Sequence, residues 1–186
     1  MPGIQLTLKT VLGVQLELRY LTPGDVGEAY LRWLGDPEIM RFTEARHATH
    51  TIDSVLAYVA KCSAGTSDHL FGIFEQTAGR HIGNIKIGLV NTYHRYASVG
   101  LIIGEKDCWG KGYATEAIGL AARHAFSTLG LHKLTASVIA GNEGSLRAFA
   151  RNRFVVEGVR RNHNLCGDDW RDEIILGLLQ EDYVNA

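Results

Sequence analysis

Apolar residues recur along the chain with two different periods, and the shorter period of two residues predicts strands. Near the amino terminus this alternation occupies residues 4–8 and 14–18, on either side of a turn region that contains Gly13. These stretches predict a strand pair with one buried face. Further short apolar or alternating runs predict strands over residues 70–75, 81–90, 99–103, 134–138, 154–159 and 174–178. Alternation places Ile85 and Leu89 on the buried face of their strand.

Segments with helical spacing lie between these strands. Thr22 followed by Pro23 is typical of a helix start, and this first helix is predicted to end near residue 35. Thr51 is predicted to cap a second amphipathic helix. A third helix is predicted from Tyr113 to about residue 129, and a short fourth one over 142–152.

The order of these elements predicts one α/β (α+β) domain with a mixed sheet of about seven strands and about four helices, rather than a bundle or a sandwich. The chain has 186 residues, and 46% of them are apolar, which is enough for one substantial core. No linker separates two halves. We therefore expect a single domain over residues 1–186.

Charge and composition narrow the range of partners. The formal net charge is -1 with both signs scattered, so neither nucleic acid nor an anionic membrane is expected as a partner. The first residues lack the features of a signal peptide, and no apolar run approaches a membrane span, so a cytoplasmic location is expected. Three widely spaced cysteines predict neither a disulfide framework nor a metal site.

A glycine-rich turn leads directly into the third helix. Gly110 and Gly112 have no Cβ atoms, and the free N–H groups at a helix start attract phosphate groups. The nucleotide P-loop is excluded because no glycine stands at the required position upstream of Lys111. A dinucleotide fingerprint is disfavoured because Thr115 replaces its third glycine and six residues separate the turn from the strand.

The stretch from Trp109 to Ala117 resembles the acetyl-CoA signature of the GCN5-related N-acetyltransferase (GNAT) superfamily, whose core pattern is [Q/R]-x-x-G-x-[G/A]. Gly112 and Ala114 match its last two defined positions, and Trp109 stands at the first. The string WGKGYATEA is similar to the RimJ/RimL-type branch. Matches elsewhere, such as Asn142-x-x-Ser145, extend the resemblance over most of the chain.

This resemblance implies the GNAT fold, a mostly antiparallel sheet with a central, splayed parallel pair of strands. It also implies that pantetheine lies in the gap between those strands. Asn142 would contact the cofactor, although a simple helix cap explains an asparagine there equally well. The residues expected to bind acetyl-CoA are Leu101, Ile102, Ile103, Trp109, Gly110, Lys111, Gly112, Tyr113, Ala114, Thr115, Asn142 and Ser145.

Amine acetylation needs a neutral amine, stabilisation of an oxyanion and a proton for the departing thiolate. Many family members use a tyrosine as the acid where this chain has Phe149. Ser145 is the alternative acid, with helix capping as its competing explanation. His163 is the candidate base, because histidine ordinarily titrates near neutral pH, and a surface histidine is the competing explanation. The substrate-binding candidates lie in the loop between the first two helices and are Phe42, Glu44 and His47.

The sequence thus predicts direct transfer of an acetyl group from acetyl-CoA to a primary amine, without a metal. The acceptor is either a protein N-terminus or a small amine such as an amino sugar, a polyamine or an amino acid. Phe149, together with the absence of the glutamate that this branch can carry, keeps a noncatalytic acyl-CoA-binding regulatory module as the alternative. A homodimer is left open.

Overall fold

One mixed sheet organises the computed structural model, which describes residues 5–7, 16–65 and 67–184. Its strands are β1 (Gln5–Thr7), β2 (Leu16–Tyr20), β3 (His69–Glu75), β4 (His81–Asn91), β5 (Tyr96–Ile103), β6 (Lys133–Ile139), β7 (Val155–Cys166) and β8 (Asp169–Leu179). The α-helices of the described residues are α1 (Glu28–Gly35), α2 (Pro37–Met40), α3 (Ile52–Ala64), α4 (Tyr113–Ser127), α5 (Glu143–Arg151) and α6 (Gln180–Val184).

The strands lie in the order β1-β2-β3-β4-β5-β6-β8-β7, and every neighbouring pair is antiparallel except β5 and β6. These two parallel strands pair only from Tyr96 with Lys133 to Ser98 with Thr135, although both continue for several residues. They therefore separate towards their carboxyl ends. The predicted mixed sheet with a splayed parallel pair is confirmed, with eight strands in the described residues where about seven were predicted.

Helices cover both faces of the sheet. Successive side chains of a strand point to opposite faces, and on β3 Phe71 packs in the same cluster as α4 while Leu70 packs with α1 and α3. Four alanines of α4 are fully buried against the sheet, at positions 117, 121, 122 and 125. Small side chains let the helix approach the strands closely, so α4 is fixed with its first turn beside the open end of β5. In the described residues, no helix is both long and apolar enough to cross a lipid bilayer.

The predicted start of the first helix is wrong by several residues. Thr22 and Pro23 do begin a helical turn, but that turn is a 3-10 turn ending at Asp25, whose carboxylate accepts the N–H of Thr22 at 2.9 Å. The α-helix begins only at Glu28, with Gly27 as its N-cap. Thr22 therefore does cap a helical segment, but this segment is a single 3-10 turn and not the α-helix.

Leu89 was predicted on the buried face of β4 and is instead 73% exposed. The pairing of β4 with β5 shifts register between Gly88 and Asn91, and Leu89 has a φ of 56°. This bulge reverses the direction of the Leu89 side chain. β7 also extends beyond the predicted segment 154–159, to Cys166. The predicted turn at Gly13 lies outside the described residues.

A buried histidine lies between α4 and the sheet. His124 is 2% exposed, its Nδ1 atom has no hydrogen-bond partner in the described part of the chain, and its Nε2 atom is 3.4 Å from the hydroxyl of Tyr20. Burial, and to a lesser extent the nearby His69, lowers the pKa of His124 to about 4. His124 therefore binds a proton more readily in the unfolded chain than in the folded one. As a result, the folded protein loses stability as the pH falls from about 6.5 towards about 4.

We therefore predict that the free energy of unfolding falls between about pH 7 and about pH 4, with His124 contributing up to about 3 kcal/mol. In His124→Phe the free energy of unfolding should depend less steeply on pH. Part of the dependence should remain, because the pKa values of His69 and His81 are also lowered in the folded protein. Urea unfolding across this pH range measures the effect, and the exposed His132→Gln serves as the control. An unchanged slope in His124→Phe would contradict the prediction.

Candidate active site

The chain turns from β5 into α4 through a loop whose last residues have left-handed backbone conformations. Gly110 has a φ of 73°, and Gly112, the N-cap of α4, has a φ of 91°. The N–H of Glu116 donates to the carbonyl of Gly112 at 3.1 Å, so the N–H groups of residues 113–115 precede the helical hydrogen-bond ladder. No side chain of the residues that the structure describes caps the helix. The loop therefore presents a helix N-terminus suited to a phosphate group.

A set of charged contacts holds this loop against the turn between β3 and β4. Glu75 accepts the Tyr113 hydroxyl at 2.6 Å and the Nε of Arg80 at 2.8 Å, and Arg80 also contacts Asp107 at 2.8 Å. The hydrogen bond to Glu75 raises the pKa of Tyr113 to about 12, and the Tyr113 hydroxyl and Arg80 lower the pKa of Glu75. Both ends of the glycine turn are thereby fixed.

Contacts with α1 and α2 hold the first part of the loop. Glu105 accepts the indole Nε1 of Trp33 at 2.9 Å, and Lys106 pairs with Asp36 at 2.8 Å and with Glu38 at 2.6 Å. A Cβ atom at residue 104 would overlap the Trp33 ring, so the glycine at this position lets the backbone lie directly on the indole. Both ion pairs and packing on the Trp33 ring therefore hold this part of the loop in place.

The splayed strands open into a cleft of about 1580 Å³. It extends from the loop before α4, past the start of α5, to the segment between α2 and α3. The predicted cofactor-binding residues that line it are Leu101, Ile102, Ile103, Trp109, Gly110, Gly112, Tyr113, Ala114, Thr115, Asn142 and Ser145. Lys111 is exposed and does not line it. One cleft therefore brings together residues from four separate elements.

Asn142 and Ser145 form the amino-terminal cap of α5. The side-chain oxygen of Asn142 accepts the N–H of Ser145 at 3.2 Å, so the capping explanation holds for Asn142. The cap uses the main chain of Ser145, whose hydroxyl makes no hydrogen bond within the described part of the chain. Phe149 is 2% exposed and packs against the ring of Phe154 at 4.9 Å between centroids. Ser145 therefore carries the hydroxyl that α5 directs to the cleft.

His163 lines the cleft beside a carboxylate that the sequence reasoning missed. Its Nε2 atom lies 3.6 Å from Oε2 of Glu173, which is 13% exposed and also accepts a hydrogen bond from Arg160 at 2.7 Å. Pairing between β7 and β8 brings these residues together across an irregularity between Arg160 and Asn164. The only signal in the sequence is a glutamate that begins the apolar run of β8.

A second missed residue is Asn84, which is 5% exposed and lines the same cleft. Its side-chain oxygen lies 2.8 Å from Nε2 of His81, and its Nδ2 atom has no hydrogen-bond partner among the described residues. A buried amide without a partner is unusual in a folded protein, which makes Asn84 a candidate functional residue. In the sequence, Asn84 could have been noticed as a polar residue among the apolar residues of β4.

Two of the three predicted acceptor-binding residues line the cleft. Phe42 and Glu44 line the cleft, whereas the exposed His47 does not. The guanidinium of Arg41 lies 4.7 Å from the centre of the Phe42 ring. Across the described ranges, no group of three or more His, Cys, Asp or Glu side chains is placed to hold a metal ion.

Comparison with known proteins places this geometry in a family. The model of the family described as "Acetyltransferase (GNAT) domain" matches residues 15–155. The chain therefore belongs to the GNAT acetyltransferase family. This membership confirms the predicted family and the predicted fold.

Individual relatives agree with this assignment. The probable N-acetyltransferase YjcK of Bacillus subtilis is 32% identical over 116 residues, 62% of this chain and 64% of the relative. The [ribosomal protein uS5]-alanine N-acetyltransferase of Escherichia coli is 30% identical over 117 residues, 61% of this chain and 59% of the relative. The matches thus cover less than two thirds of these relatives.

Among solved structures, the spermidine N-acetyltransferase of Vibrio cholerae in complex with CoA and spermine has a TM-score of 0.82 at 24% identity, over 91% of this chain and 98% of that chain. This likeness shows the fold. Relatives of both the ribosomal-protein and the polyamine type are thus similar to this chain, and the RimJ/RimL branch stays a prediction.

We predict that Gly112→Val weakens acetyl-CoA binding at least about tenfold, because a β-branched residue is strained at a φ of 91° and its side chain occupies the approach to the helix start. Isothermal titration with acetyl-CoA measures the loss. Gly130→Val is the matched control, since Gly130 also has a positive φ, of 64°, but follows the opposite end of α4. Equal affinity in wild type and Gly112→Val would contradict the prediction.

Proposed function

We propose that this chain transfers the acetyl group of acetyl-CoA directly to a primary amine. The observation that carries the proposal is the gap between β5 and β6, which opens onto the uncapped start of α4 in the same cleft as Ser145 and His163. Residues 1–186 are proposed to form one acetyltransferase domain that acts in the cytoplasm.

The loop before α4 and the edge of β5 are the proposed binding site of acetyl-CoA. The backbone at Gly110 and Gly112, together with the N–H groups of residues 113–115, would hold the pyrophosphate. The edge of β5 from Leu101 to Ile103, no longer paired with β6, would hold the pantetheine amides. The cosubstrate supplies an activated acyl thioester, and the protein supplies position and proton transfer.

His163 is proposed as the base. An amine must lose a proton before it can attack a thioester, and an imidazole can accept that proton at neutral pH. With Nε2 directed towards Glu173, the Nδ1 atom is left to take the proton from the amine. The carboxylate of Glu173 then stabilises the positive imidazolium, which makes Glu173 a positioning residue.

Ser145 is proposed as the acid that protonates the departing thiolate. Its hydroxyl is on the first turn of α5 and makes no hydrogen bond with the described residues, so it can donate to a ligand. Phe149, the position at which many family members carry a tyrosine, is buried and cannot donate a proton. The chain thus has one hydroxyl on α5 for this role.

The acceptor is proposed to be a primary amine because the named relatives and structures act on, or bind, such groups. The E. coli relative acts on an alanine of a ribosomal protein, and the V. cholerae structure contains spermine. A thiol-release assay with acetyl-CoA and a panel of amines, including N-terminal peptides, amino sugars and polyamines, tests the proposal. Binding of acetyl-CoA without turnover of any amine would instead favour a noncatalytic acyl-CoA-binding module.

We predict that Ser145→Ala lowers kcat about a hundredfold with little change in acetyl-CoA affinity, because the capping N–H remains in place. His163→Gln should lower kcat to a similar extent, and Glu173→Gln should lower it less. Steady-state kinetics with the best amine of the panel measures these changes. Ser127→Ala and His132→Gln, at exposed positions outside the cleft, serve as controls. Undiminished turnover in Ser145→Ala would remove that residue as the acid.

A further inference from the structure

A second pocket, of about 490 Å³, adjoins the cleft at its acceptor end. It shares Arg41, Phe42 and Gly141 with the cleft, and none of residues 109–115 lines it. Its walls come from the segment between α2 and α3, from the connection between β6 and α5, and from the end of the hairpin formed by β7 and β8. The pocket is therefore separate from the proposed donor site and continuous with the space where the acceptor would lie.

The charged side chains that line this pocket are all positive. Three of its lining residues are arginines, Arg41, Arg46 and Arg171, and no Asp or Glu is found among the described residues that line it. The nearest carboxylate to Arg46 is that of Glu44, at 3.8 Å, and the Glu44 side chain is 78% exposed. Solvent screens an ion pair of this kind, so the pocket keeps a net positive charge.

Arg46 has a structural role in addition to its charge. Its side chain is 16% exposed and donates to the carbonyls of Thr43 at 2.9 Å and of Leu165 at 3.2 Å. Carbonyl groups orient the guanidinium without neutralising it. Arg46 therefore ties the two walls of the pocket together and leaves a positive charge between them.

The other two guanidinium groups have few partners. Arg171 donates to the carbonyl of Ala140 at 3.3 Å, and Arg41 stacks on Phe42, with no carboxylate within 4.0 Å of either in the described part of the chain. Gly141 has a φ of 98°, and a Cβ atom there would lie 2.6 Å from Nη1 of Arg171. The glycine thus leaves room for the Arg171 side chain in the pocket.

From this arrangement we infer that the pocket binds an anionic group of the acceptor, either a phosphate or a carboxylate. Guanidinium groups match both anions with paired hydrogen bonds, and the Phe42 ring offers a flat face to the body of the molecule. The substrate class is then a small amine that carries its own anion, such as an amino sugar phosphate. This inference rests on the proposed acetyltransferase function and disfavours polyamines, whose charges the arginines would repel.

Anion binding is tested without turnover, by titrating inorganic phosphate and malonate into the protein saturated with CoA, so that the donor site is occupied. We expect binding of one or both anions, weakened at least about tenfold in Arg171→Gln and in Arg41→Gln. Arg123→Gln, an exposed position on α4, should bind as the wild type does. Gly141→Ala should weaken binding by displacing Arg171. Arg46 is left unchanged because its loss would separate the pocket walls.

The acceptor class is tested by comparing glucosamine, glucosamine 6-phosphate, glutamate and spermidine with acetyl-CoA. The anionic amines should have KM values at least about tenfold below those of glucosamine and spermidine, and Arg171→Gln should raise only the former. Acetylation of neutral amines with equal efficiency, together with unchanged anion binding in Arg171→Gln, overturns the inference and leaves the proposed function intact. Anion binding that depends on Arg171, without turnover of any amine, overturns the proposed function alone.

Discussion

The early end of hydrogen bonding between β5 and β6 is the constraint on which the site depends. The two strands pair over three positions and then separate, so that within the described ranges the main-chain groups of Leu101 to Ile103 have a strand partner on one side alone. Unpaired backbone groups in a protein interior are costly, so such an edge is stable only beside water or a ligand. The loop before α4 begins at the carboxyl end of β5, and α5 begins shortly after the carboxyl end of β6, so the cleft lies beside the separated ends of the two strands.

The loop before α4 is held by many modest contacts instead of one strong one. The ion pairs of Arg80 and Lys106 are partly exposed, and pairs of this kind contribute little individually. Packing of the chain on Trp33 and the hydrogen bond from Tyr113 to Glu75 add contacts from two other directions. Together they fix the direction of the α4 start, which a ligand with a flexible phosphate chain requires.

The sequence predicted those features that depend on neighbouring residues. The glycine turn, the cap at Thr51 and the strands of the splayed pair are local patterns, and the structure contains them. It did not predict the exposure of Leu89 or the closeness of His163 and Glu173, because a bulge and a strand pairing set these positions. The arginine pocket was missed for the same reason, since its walls are over a hundred residues apart in the chain.

The contact of Arg46 with the carbonyl of Leu165 joins segments that are 119 positions apart. Neither segment contributes to the loop that leads into α4. The arginine pocket and the glycine turn at Gly110 and Gly112 are therefore built from different parts of the chain. A substitution in the hairpin of β7 and β8 can thus reshape the arginine pocket while the backbone of the turn before α4 keeps its conformation.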